Sequence, residues 1–299
     1  MKRIFLFLLT NIAIMLVIGI VINVLGLNHW MTRKGINYEM LFGFSLVIGF
    51  SGSFISLWIS KWMAIRAYNI QIIDQPSNAG EEWLLETIRA QSTKARIPMP
   101  SVGIYDSPEV NAFATGSSKK NSLVAVSSGL LQGMSKHEVE GVLAHELSHI
   151  ANGDMVTMTL LQGVLNTFVV FFSRILAMFL DSALRKDDRD DRGPGLGYWI
   201  ASMVCELALG FLASLVVMKF SRWREFHADA DAARLWGKQS MIDALKRLKA
   251  ISLSDPIFDN RSEATAAFKI SGGSSGFLAT LKASHPPLEE RIAALERLA

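Results

Sequence analysis

Among the 299 residues of this chain, the segment His145-Glu146-Leu147-Ser148-His149 holds the residue types and spacing best suited to chemistry. Two imidazoles four residues apart on a helix differ by about 40° around its axis, so both reach one metal ion, as in the zincin pattern His-Glu-x-x-His. Glu146, one position on, reaches the open side of that ion. There it can take a proton from a bound water, whose pKa zinc lowers to about 7, and pass it to a leaving amine. Catalytic zinc takes three protein ligands and keeps one position open, so a third ligand must come from elsewhere. The best candidate is Glu225, in Ser221-Arg222-Trp223-Arg224-Glu225-Phe226-His227-Ala228-Asp229. Glu225 and Asp229 lie one turn apart on one helical face, and His227 points roughly the other way. One zinc ion per chain is thus expected on His145, His149 and Glu225, with Asp229 orienting one ligand imidazole through its other nitrogen. The rival is a membrane chaperone or scaffold with a structural zinc. Closed structural sites favour four Cys or His ligands, which a chain with the single cysteine Cys205 cannot assemble in that way.

The metal motif needs a helix. Ser135 and Glu138 form a capping box that opens one, and Asn152-Gly153 supplies its stop. Upstream, an amphipathic helix is expected at about Glu81 to Ala95. The short β-branched or apolar stretches Val102 to Tyr105, Ala112 to Thr115 and Leu123 to Val126 read as a small sheet. Downstream, helices are expected from after Phe220 to about Trp236, at Ser240 to Ala250, and after Pro287, with a Gly/Ser-rich loop at Ser271 to Gly276.

Half of the residues are hydrophobic and mean hydropathy is +0.29, high for a purely water-soluble protein, so some of this surface is expected to face lipid. The net charge of +3 arises without a basic tract, which argues against a nucleic-acid partner. A lone cysteine excludes an internal disulfide. Four apolar runs, Ile4 to Leu27, Tyr38 to Ser60, Met155 to Leu180 and Leu196 to Phe220, read as two helical hairpins, the first run being an uncleaved transmembrane helix. The second hairpin contains Gln162, Asn166, Arg174 and Glu206, so its helices are either full spans or buried or re-entrant ones. Thr159, Gln162 and Asn166 form a polar stripe expected to face protein near Glu206, for hairpin packing or for substrate handling. The resulting order is a hairpin over 1–66, a first catalytic part over 67–154, a hairpin over 155–221 and a second catalytic part over 222–299. Flanking charges orient it weakly; Lys2-Arg3 favours a cytoplasmic amino terminus. His149 and Glu225 flank the second hairpin closely, so the metal should lie near the membrane surface.

The segment order, with Asn111-Ala112-Phe113-Ala114-Thr115-Gly116, the His145 to His149 motif, Arg222 to Asp229 and His285-Pro286-Pro287, resembles the HtpX family of bacterial membrane-bound zinc metalloproteases. It does so over essentially the whole chain. More distantly, the motifs are similar to the CAAX-prenyl-protein protease and its gluzincin relatives, in which a glutamate is the third ligand. The resemblance implies an α+β zincin-like (gluzincin) catalytic domain, mostly helical with a small sheet, integrated with about four transmembrane helices. It implies an endopeptidase facing the cytoplasm from the bacterial inner membrane, acting on misfolded membrane proteins and unfolded chains, with self-cleavage when copies meet. It also favours a substrate role for Asn111, Ala112 and Phe113 through an exposed strand edge in Asn111 to Gly116 or Asn121 to Ser127; the residues alone allow an ordinary hairpin. His285 is the candidate donor to a developing oxyanion, with Arg291 holding it or touching substrate. Taken alone, these two residues also fit a core histidine and a surface arginine.

Overall fold

The computed structural model describes residues 37–184, 196–254 and 285–298. In chain order the described elements are α1 (Tyr38–Tyr68), β1 (Gln71–Ile72), α2 (Ala79–Lys94), β2 (Ser101–Tyr105), β3 (Ala112–Gly116), β4 (Ser122–Ser127), α3 (Ser128–Gly133), α4 (Lys136–Asn152), α5 (Asp154–Leu184), α6 (Leu196–Leu235), α7 (Lys238–Ser254) and α8 (Leu288–Glu296). Among the described residues, α1, α5 and α6 are long and apolar enough to cross a membrane. The first apolar run, Ile4 to Leu27, and the loop Ser271 to Gly276 lie outside the described residues. One boundary differs from expectation. The sequence reading ends an apolar helix at Phe220 and starts another, whereas α6 is continuous over Leu196–Leu235. Ser221 to Arg224 contains no Gly or Pro, so a change from apolar to charged residues alters the helix's surroundings without ending it.

The described residues within 56–158 and 215–298 form one compact unit, and those within 37–55 and 159–214 the other. In the first, the sheet has the order β1-β2-β4-β3, with β2 and β4 parallel and the outer pairs antiparallel. Successive side chains of β4 point to opposite faces. Leu123 and Ala125 join Ala64, Tyr68, Tyr105 and Phe113 in a cluster on one face. Val124 and Val126 join Leu84, Ile88, Leu143 and Leu147 on the other, the main core. The motif helix α4 belongs to that core. Its start carries the expected capping box, and Gly153 ends it in the left-handed conformation at φ 65°. Gly141 lets α4 close on α7: a Cβ there would lie 2.6 Å from the Ser240 carbonyl oxygen. Ser240 in turn donates its hydroxyl to the His137 carbonyl at 2.6 Å.

In the other unit small residues allow close helix approach, as in many membrane proteins. A Cβ on Gly49 would lie 2.5 Å from the Thr167 backbone nitrogen, and one on Gly163 would lie 2.5 Å from the Phe50 ring. The polar stripe differs from expectation. Thr159 is buried, but Gln162 and Asn166 are exposed. The stripe that packs is Thr159, Gly163 and Thr167, spaced by four; Gln162 and Asn166 each precede one of its members and so lie about 100° round the helix. Glu206 pairs instead with Arg174, Nη2 to Oε1 at 3.1 Å, and that guanidinium also lies over the Trp199 ring.

Candidate active site

His145 and His149 leave the buried side of α4 one turn apart, with ring centroids 4.6 Å from each other. Their Nε2 atoms are 3.1 Å apart. Glu225, from α6, completes the group: Oε2 lies 3.4 Å from His145 Nε2 and Oε1 lies 3.2 Å from His149 Nε2. Among the described residues this trio is the set of His, Cys, Asp and Glu side chains able to hold one metal ion, and all three members are buried.

The donor set fits a small divalent cation. Ligands about 2.0–2.1 Å from a tetrahedral zinc stand about 3.3 Å from one another, which is the spacing of these atoms. Each imidazole presents its second nitrogen to a carboxylate, His145 Nδ1 to Asp229 Oδ1 at 2.9 Å and His149 Nδ1 to Asp154 Oδ2 at 2.7 Å. A proton on each Nδ1 leaves the two Nε2 lone pairs aimed at the carboxylate oxygens of Glu225. Oε1 is close to His149 Nε2 yet is buried without a true hydrogen-bond donor. Three such atoms converging at this spacing give a cation a ready set of ligands. The electrostatics of the metal-free site make the same demand for positive charge. Burial by itself would lower the His145 imidazole, but hydrogen bonds to Asp229 and Glu225 outweigh it and raise it to about 9. His149 is likewise raised against its burial, by the charge of Glu225 and by Asp154.

Around this trio the structure assigns places that the sequence reading had not. Arg291 is fully buried and grips Asp229 with two bonds, Nε to Oδ2 at 2.8 Å and Nη2 to Oδ1 at 2.6 Å. Its Nη1 stands 3.6 Å from Glu225 Oε2. Arg291, expected to hold His285 or touch substrate, directs its five-donor fork to the Asp229 carboxylate beneath the site, out of reach of solvent. His285 stands beside the trio with Nδ1 2.7 Å from Glu225 Oε2. It reaches Glu225 directly, a contact that its position before Pro286-Pro287 did not reveal. Asp154 was also missed; the available signal was a carboxylate immediately after the Asn152-Gly153 stop. His227 is exposed, bonded through Nδ1 to the Trp223 carbonyl and tilted against that indole with ring centroids 4.0 Å apart, on the side of α6 away from the trio.

Glu146 is buried on α4 next to His145, close enough to Arg291 for the two charges to attract. Of the two stretches read as a substrate edge, only one qualifies. β4, within Asn121 to Ser127, is central, paired by β2 and β3; among the described residues β3 has a strand partner on one side alone. Asn111 is buried just before β3, with its backbone N–H on Ser127 Oγ at 3.1 Å and its carbonyl accepting from Ser127 N–H at 2.9 Å. Ala112 and Phe113 are buried in the two opposite cores of the sheet.

A helix-borne His-Glu-x-x-His pair joined by a buried glutamate from a later helix defines a metallopeptidase centre. Residues 78–299 match peptidase family M48. The chain is 55% identical over 298 residues, 99% of both chains, to the protease HtpX homolog of Methylacidiphilum infernorum (isolate V4). It is 51% identical over 300 residues, 100% of this chain and 99% of the other, to the protease HtpX of Thioalkalivibrio sulfidiphilus. The crystal structure of S. mikatae Ste24p shares the fold, with a TM-score of 0.62 at 19% identity over 93% of this chain and 66% of that one. The chain belongs to peptidase family M48 and is a membrane metalloprotease related to HtpX.

Proposed function

We propose that this protein is a zinc endopeptidase that cleaves misfolded or damaged membrane proteins at the cytoplasmic face of the bacterial inner membrane. The observation that carries the reading is the convergence of His145 Nε2, His149 Nε2 and the Glu225 carboxylate within 3.1 to 3.4 Å of each other, with Glu146 adjacent on the same helix. Zinc held there would polarise a peptide carbonyl and make a water acidic enough to lose a proton near neutral pH. Glu146 receives that proton and returns it to the departing amine, the part of a general base and then acid. His285, with Nδ1 on Glu225, has Nε2 left to face a substrate oxygen as negative charge develops on it. The outer edge of β3 offers backbone N–H and C=O groups to an extended peptide. Asn111 then acts through the loop it ties to Ser127, Ala112 through backbone groups turned away from β4, and Phe113, whose backbone faces Ala125 of β4, by holding the strand in the sheet.

Membrane substrates are favoured by the helix that carries Glu225, since α6 also contains one of the apolar spans. Where copies of the chain meet, unfolded segments of one are substrates for another, so self-cleavage during purification is expected unless metal is withheld. The test is cleavage by the purified protein of an unfolded soluble protein and of a destabilised membrane protein in vesicles, each with and without a chelator. Chelator-sensitive cleavage of both supports the reading. Cleavage that persists without metal, or no cleavage of either, contradicts it.

A further inference from the structure

The two ligand imidazoles are held alike but by unrelated parts of the chain. His145 turns Nδ1 to Asp229, which the helical phase of α6 places beside Glu225. His149 turns Nδ1 to Asp154, the first residue of α5, with Nδ1 and Oδ2 2.7 Å apart. The contact depends on a specific chain reversal. Gly153 adopts φ 65° and directs its N–H to the His149 and Ile150 carbonyls, ending α4, so the next side chain returns beneath the last ligand. A residue with a Cβ enters that conformation at a cost, whereas glycine does so freely. Only 10% of the His149 side chain and 13% of that of Asp154 are exposed, so the pair is made largely out of water.

We propose that Asp154 is a positioning residue for the metal site. It accepts the Nδ1 proton of His149, which fixes the tautomer with Nε2 unprotonated, holds the ring plane towards Glu225, and makes Nε2 a better electron-pair donor. This rests on the zinc reading above, since a tautomer lock matters only if Nε2 binds a cation. Carboxylates behind metal-bound histidines act in this way, and their loss typically weakens metal binding or activity about 10- to 100-fold. A purely structural alternative exists for Asp154: an acidic residue in the first turn of α5 also complements the positive end of that helix.

Three variants of the full-length, detergent-purified protein separate these roles. Asp154→Ala removes both functions. Asp154→Ser keeps a side chain suited to a helix start but is too short to reach Nδ1. Asp154→Asn keeps an oxygen that can accept the Nδ1 proton. Zinc dissociation constants are measured by competition with a chromophoric chelator, and melting temperatures on the metal-free proteins. The expected result is binding about 10- to 100-fold weaker in Asp154→Ala and Asp154→Ser, with a clear recovery in Asp154→Asn, and metal-free melting of the Ser and Asn variants near that of wild type. Wild-type affinity in Asp154→Ser, no recovery in Asp154→Asn, or an Asn variant that fails to fold would each overturn the proposal. Failure of the wild-type protein to bind one zinc would instead sink the zinc reading on which it rests.

Discussion

Arg291 and Asp229 form a two-bonded ion pair behind His145, at 2.6 and 2.8 Å, in which the arginine is wholly buried and Asp229 Oδ1 also lies 2.9 Å from His145 Nδ1. One guanidinium thus fixes the carboxylate that faces the His145 imidazole. Removing one partner of a buried pair leaves the other charge uncompensated, at about 3–5 kcal/mol. Arg291→Ala is accordingly expected to lower unfolding free energy by about that amount and to weaken zinc binding. Arg291→Lys should rescue little, since a point charge cannot make both bonds. Denaturant unfolding and metal analysis check this; near-wild-type stability in Arg291→Ala contradicts it.

The metal-free protein should respond to pH with a definite sign. His145 is raised to about 9 from 6.5, and His149 is raised as well. A folded-state value above the unfolded one gives stability that is full below about pH 6.5 and is lost as pH rises through about 9. Zinc must displace those protons, so its affinity should increase over the same interval. Metal-free unfolding midpoints at about pH 6 and about pH 9.5, with calorimetric proton release on zinc binding, test both signs. A midpoint that rises with pH contradicts the assignment.

Glu225→Ala and His227→Ala separate neighbours on one helix. Glu225 is fully buried in the trio, whereas His227 is exposed against Trp223. The first substitution should empty the site and the second should leave zinc content near one per chain. Loss of metal in His227→Ala alone would reassign the third ligand.

Gly141, one turn before His145, is expected to tolerate no side chain. A methyl group would sit 2.6 Å from the Ser240 carbonyl oxygen and force α4 away from α7. Overpacking of this kind costs about 1–3 kcal/mol, so Gly141→Ala should melt lower and bind zinc less tightly. An unchanged melting temperature would show that α4 and α7 can separate freely.

The metal trio was legible because its signals are local: a four-residue spacing on α4, a four-residue spacing on α6, and a capping box and stop that define α4. The strands were legible from β-branched runs bounded by turn residues. What stayed hidden depends on tertiary approach. Asp154 and Arg291 carry no periodic signal, and only folding brings Arg291 against Asp229, 62 positions away. The order β1-β2-β4-β3 is likewise invisible in the strand sequences, so β4 was read as an edge although it lies inside the sheet. The continuity of α6 was missed because a change in side-chain polarity was read as a break in the backbone.

If Glu146 handles the proton while His145, His149 and Glu225 hold the metal, Glu146→Gln separates these tasks. The substitution keeps size and a hydrogen-bonding tip and removes the basic oxygen. Zinc content, metal-free melting and peptidase activity are measured on the same preparation beside wild type. About one zinc per chain, an unchanged fold and loss of cleavage are expected, together with reduced self-degradation. Cleavage near the wild-type rate, or loss of zinc from a folded variant, would contradict this division of tasks.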